Sequence, residues 1–175
     1  MDFFDIVKMR YSHKEKFLSA PVPLSDLERI AKAGIAAPTG VNRQCVRLIL
    51  LPERAAIQPL CDICPTDGLR TAPAAIAVLT DSFSQSSKNN FEMEDYSAAV
   101  ENMLLAAVAL GYASLWLDSP YFSGENQKAA LALFGAPAGY CLRAVLPIGK
   151  PDGSGSRRDK LPFHERVFYR RFGER

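Results

Sequence analysis

APTGVNRQC, residues 37–45, interrupts an otherwise legible succession of helix and strand. Ahead of it, Ser25 and Glu28 have capping-box spacing before Leu27, Ile30, Ala31 and Ile35, which predicts a helix running to about Ala36 and stopped by Pro38. Behind it, VRLILL (46–51) is an apolar run without alternation, the pattern of a strand buried on both faces. A connection needs one or two turn-forming residues. This one supplies backbone N–H groups, the Thr39 hydroxyl and the Asn42 and Gln44 carboxamides, more hydrogen-bonding capacity than joining two elements requires.

The remaining elements follow from the same patterns. Residues 3–9, behind a possible Asp2 cap, predict a short helix with one buried face that ends near Arg10. Pro21 and Pro23 leave the next segment extended. AAIAVLT (74–80), ASLWL (113–117) and CLRAVLPIG (141–149) complete four strands. The longest helix spans about Asp95 to Leu110, with Gly111 as its stop, and its alanines suit close packing on another helix. A further helix covers Glu125–Phe134, and the polar stretch 81–90 is expected to be a mobile loop. This order predicts an α+β sandwich with a mixed central sheet, one domain over 1–175, with 150–175 as a C-terminal arm. No glycine-rich turn follows the first strand and no P-loop pattern occurs, so the dinucleotide-fold phosphate site is missing.

Composition narrows the function. With 175 residues, 48% of them hydrophobic, the chain can build a sizeable single core. A formal net charge of +2 is too small to imply nucleic acid. No apolar run approaches the roughly 20 residues that span a bilayer, and MDFFDIVKMR has no leader-like core, so a soluble, unprocessed cytoplasmic protein is expected. Cys61 and Cys64 form a lone CxxC without matching histidines, and Cys45 and Cys141 stand apart, which favours reduced thiols over a metal site.

Arg10, Ser12 and Lys14 alternate along an extended stretch, so their side chains leave one face. Two cations and a hydroxyl there form either an anion receptor or a solvated loop. A second basic group, Arg157, Arg158 and Lys160, lies in a glycine- and serine-rich segment and could converge on the same anion from the far end of the chain. Aromatics Phe163, Phe168, Tyr169 and Phe172 follow, and they need a surface to cover, on this or another subunit.

Together, RYSHK (10–14), PVPLSDLERIAKAGIAAPTGVNRQ (21–44), NMLLAAVALGYASLW (102–116) and LPIGKP (146–151) resemble, in order and over nearly the whole length, the nitroreductase family of FMN-dependent oxidoreductases. The resemblance implies an intertwined homodimer with FMN at the subunit interface. By it, Arg10, Tyr11, Ser12 and Lys14 would meet the phosphate and ring edge, with Arg158 and Lys160 as a late basic pair at the phosphate. Pro38, Thr39, Gly40, Asn42 and Gln44 would contact the flavin from the partner subunit. The segment Leu117, Asp118 and Ser119 would lie beside the reactive ring edge, its amides available to flavin N5; Asp118 reads equally as a strand-end turn residue.

The activity implied is hydride transfer from NADH or NADPH to a nitroaromatic, quinone or other electrophilic small molecule, with FMN doing the chemistry and no catalytic protein nucleophile. Specialised family chemistry, such as flavin fragmentation or reductive dehalogenation, and a non-catalytic flavin-binding or sensing role are the alternatives. Thr39 stands for the family's usual serine, and Cys45 with Val46 for its common Pro-Trp. The short gap between AVLTD (77–81) and EDYSAAVENM (94–103) implies an open substrate side or a loop that closes it.

Overall fold

The computed structural model describes residues 2–81, 90–118, 121–153, 155 and 157–174. Four strands, β1 (Val46–Leu51), β2 (Ala74–Asp81), β3 (Ala113–Ser114) and β4 (Tyr140–Gly149), form one sheet in the order β1-β2-β4-β3. Every neighbouring pair is antiparallel. The expected mixed sheet is therefore corrected: among the described residues its strands pair only antiparallel, and the parallel pairing of Ser12 with Ser114 is an isolated bridge outside their ladders. Strand β4, entering last, slips between β2 and β3 and runs against both.

The sheet is covered on both faces because its central strand alternates between two apolar sets. Ala75, Ala77 and Leu79 of β2 join Ile57, Leu60, Leu69, Leu117 and Phe122 in one core cluster. This cluster lies under α3 (Arg54–Ile57), α4 (Leu60–Ile63), α5 (Asp67–Thr71) and α7 (Gly124–Leu133). Ala74, Ile76 and Val78 face the other way, into Leu27, Ile30, Val100, Met103 and Ala107 from α2 (Leu24–Ile35) and α6 (Glu92–Ala109). Where α2 meets α6, Gly34 lets the two axes close in, since a Cβ there would lie 2.7 Å from Met103 Cγ.

Several local expectations are corrected. The 25–28 capping box is not used: Pro23 is the N-cap of α2 and its carbonyl accepts from the amides of Asp26 and Leu27. Its fixed φ pre-sets the first turn without a side-chain cap. Strand β1 is an edge strand and only half-buried, so its lack of alternation does not mark burial on both faces. The third strand is shorter than 113–117, and Leu117 rejoins β4 only through a bridge to Val145. Helix α6 begins at Glu92, three residues before the expected start, and ends as expected at Gly111, whose φ of +76° a side chain would resist.

Helix α1 (Phe3–Met9) does use Asp2 as its cap, Oδ1 accepting from the Asp5 amide at 2.9 Å. It buries no residue, however: Phe3 and Phe4 are 62% and 70% exposed. The described part of the arm is exposed in the same way, including Leu161, Phe163, Tyr169 and Phe172. Nothing within the described chain covers either apolar set. The loop expected at 81–90 falls, at 82–89, outside the described residues.

Candidate functional site

The two ends of the chain are stitched together beside the sheet. Leu18 donates its amide to Lys150 at 2.9 Å, Asp152 donates to Lys16 at 2.9 Å, and Phe17 bridges Pro151. Farther out, the Tyr11 ring lies so close to Gly155 that a Cβ there would collide with it. The Arg157 guanidinium donates to the Lys8 carbonyl.

The result is an open cleft of about 370 Å³ lined by Arg10, Tyr11, Ser12, Lys14 and Glu15 from the beginning of the chain and by Gly155, Arg157, Arg158 and Lys160 from its end. Five cations face one acid, Glu15. Arg10 is additionally held 3.4 Å from Glu101 of α6. Such a set, with the Ser12 hydroxyl and a rim of exposed arginines and lysines, suits a phosphate carrying about two negative charges.

His13 explains why the cationic side chains point outward. It is fully buried, and its ring Nε2 donates to the Lys16 carbonyl at 2.9 Å. That leaves Nδ1 to accept from the Tyr11 hydroxyl at 3.3 Å, while the ring stands edge-on to Phe17. With His13 anchored inward, the alternation of the extended strand turns Ser12 and Lys14 to the cleft. In the sequence His13 stands far from the paired cysteines and carries no assigned role. Among the described residues no group of three or more His, Cys, Asp or Glu is placed to hold a metal.

The 37–45 loop lies elsewhere. Within one chain, Pro38, Thr39, Gly40, Asn42 and Gln44 do not reach the basic cleft; Thr39 and Gln44 line a second cavity of about 220 Å³ together with Gly34, Arg47 and Asp95. The loop is unusually bent. Val41, Asn42 and Gln44 have φ of 50°, 55° and 53°, left-handed conformations that cost most for a β-branched residue such as Val41. Its own bonds include Thr39 Oγ1 accepting from the Gln44 amide at 3.1 Å and Asn42 Oδ1 accepting from the Gln44 carboxamide at 3.3 Å.

The 117–119 segment is only partly usable. The Leu117 amide donates to Val145 at 3.0 Å and its carbonyl accepts in return at 2.8 Å, with its side chain in the core. The expectation that this amide faces flavin N5 is therefore corrected: it is already committed to β4. Asp118 is exposed at the end of this bridge, and partial desolvation holds its carboxyl above the usual range. Ser119 lies outside the described residues.

All four cysteines are free thiols. Burial, then the bond to Asp95, pushes Cys45 up to about 11, and burial pushes Cys64 up to about 11. Cys61 is buried beneath the Arg54 guanidinium, 3.7 Å from its sulfur. A thiolate population about a hundredfold below that of an ordinary cysteine makes Cys45 and Cys64 slow nucleophiles at pH 8. Titrating the folded protein with a thiol reagent should label half-buried Cys141 first, the other three reacting only on unfolding; rapid labelling of Cys64 would contradict this.

The sequence matches the Nitroreductase family over residues 7–66 and 63–150. A protein of Archaeoglobus fulgidus, provisionally named NADH dehydrogenase/NAD(P)H nitroreductase, is 33% identical over 167 residues, covering 92% of this chain and 90% of that one. Among solved structures, a nitroreductase-type protein of Desulfovibrio desulfuricans in complex with FMN is 28% identical, with 98% of each chain covered and a TM-score of 0.74. A protein of Clostridium acetobutylicum provisionally described as an NADH oxidase is 26% identical, covers 96% of this chain and 100% of that one, and has a TM-score of 0.83. The fold, the ordered motifs and these matches place this chain in the nitroreductase family.

Proposed function

We propose that this chain is an FMN-dependent NAD(P)H oxidoreductase that works as a homodimer and reduces nitroaromatic, quinone or similar electrophilic small molecules. The observation that carries the reading is the convergence of Arg10, Ser12 and Lys14 with Arg158 and Lys160 in one cleft, across most of the chain length. Its donor set fits a phosphomonoester, and a relative of the same fold is complexed with FMN. FMN, when bound, supplies the hydride chemistry.

This chain's residues would bind and orient it. Arg10, Lys14, Arg158 and Lys160 would hold the phosphate, and Lys14 would favour negative charge at the N1 and O2 edge of the reduced ring. Asp118 would stand near the reactive edge. The 38–44 loop of a second copy would close the ring from the other side, which accounts for its distance from the cleft within one chain.

A second copy is supported by the apolar surface of α1 and the arm, together with Val41, 75% exposed. Among the described residues no helix is long and apolar enough to cross a membrane, and we place the protein in the cytoplasm. The purified protein should be yellow, and NADH or NADPH should bleach it anaerobically, with steady oxidation once an acceptor is added. A colourless protein that takes up no FMN would overturn the reading.

A further inference from the structure

We infer that Asp95 is a positioning residue, its carboxylate holding the 39–45 loop in the shape that meets the flavin; the inference rests on the FMN reading above. Asp95 lies in the first turn of α6 and is 3% exposed. Oδ1 accepts from the Gly40 amide at 2.7 Å, and Oδ2 accepts from the Cys45 thiol at 3.4 Å. Among the described residues it makes no ion pair, so both oxygens serve the loop, one at each end.

Between those two tethers lie three of the four side-chain-bearing residues with left-handed backbones among the described residues, Val41, Asn42 and Gln44. Such conformations persist only where the surroundings over-determine them. Gly40 is pressed beneath Phe91, where a Cβ would strike the ring, so the amide has no freedom to leave the carboxylate. The far end is fixed again by Asp81, whose amide donates to the Cys45 carbonyl at 3.3 Å and whose carboxylate lies 3.6 Å from Arg43. What this clamp presents outward is Val41, Asn42 and Gln44, all exposed. A carboxylate buried only to hold a loop, whose product is a rigid, exposed and strained surface, is the arrangement expected of a ligand-contacting edge.

The test uses the full chain and two variants, Asp95→Ala and Asp95→Asn; the asparagine keeps an acceptor for the Gly40 amide. FMN affinity is read from quenching of free FMN fluorescence, well below each variant's melting temperature, and loop rigidity from hydrogen exchange at the Gly40 amide. Asp95→Ala should weaken FMN binding and accelerate Gly40 exchange by about tenfold or more, whereas Asp95→Asn should stay within about threefold on both. A folded Asp95→Ala protein with unchanged FMN affinity overturns the inference, as does an asparagine variant as weak as the alanine one. Unprotected Gly40 exchange in the unmodified protein overturns it too, and needs no variant to fold. If the unmodified protein binds no FMN, it is the flavin reading that fails, and Gly40 exchange still decides whether Asp95 clamps the loop.

Discussion

Replacing Arg158 and Lys160 together by alanine is expected to weaken FMN binding by about a hundredfold, because each charge-assisted bond to a phosphate contributes about 1.5 kcal/mol even at an exposed rim, and 1.4 kcal/mol is tenfold. Both side chains line the cleft from the far end of the chain, opposite Lys14 and Ser12. Neither belongs to the core, so melting should change little. Two controls make the result specific. Riboflavin, which lacks the phosphate, should bind the double variant and the unmodified protein alike. Added salt should weaken FMN binding to the unmodified protein more steeply than to the variant, since fewer charges remain to screen. Equal FMN affinity in both proteins would remove the phosphate from this cleft.

The second large effect is on stability. Strand β4 pairs with β2 until a register shift between Val78 and Leu79, where Val78 faces Ala144 and Leu79 faces Leu142. Arg143 is the extra residue of this bulge, turned out of the ladder. Its Nε donates to Glu92 at 2.7 Å and to the Thr80 hydroxyl at 3.0 Å, its Nη2 also reaches Glu92, and Thr80 donates to the same carboxylate. Glu92 is 3% exposed.

Arg143→Ala would leave that carboxylate buried without its cation, a change worth about 3–5 kcal/mol; with Arg143 itself a quarter exposed, about 3 is the better figure. At about 2–4 °C per kcal/mol for a chain of this size, the melting temperature should fall by about 6–12 °C. Arg143→Met combined with Glu92→Gln should cost less than Arg143→Ala alone, because removing both charges leaves neither stranded. Thermal denaturation of the three variants checks this, and a single variant that melts with the unmodified protein would show that water, not Arg143, satisfies Glu92.

Patterning made much of the frame legible. The unbroken apolar run of β2, helical spacing in α2 and α6, and glycine after α6 were local signals, and local signals survive folding when tertiary contacts agree with them. The basic cleft was legible as two clusters of like residues at opposite ends of the chain. The groups that hold the loop were not. Asp95 read only as the start of a helix and Glu92 fell outside it, because a carboxylate's burial depends on partners far away in the chain: the Gly40 amide is 55 residues from Asp95, and Arg143 is 51 from Glu92. His13 escaped for the same reason, its role depending on a tautomer fixed by Lys16 and Tyr11. Strand β1 was over-read because an apolar run does not say whether a sheet continues beyond it.

The zipping of 16–18 onto 150–152 has a consequence for how the protein matures. While the polypeptide is still emerging from the ribosome, the sheet lacks the strand that separates β2 from β3, and the basic cleft has only half its wall. If the cleft seats the cofactor's phosphate as proposed, capture would be the closing event of biogenesis, and a product cut short before residue 155 would keep much of its interior yet lack one wall of that cleft.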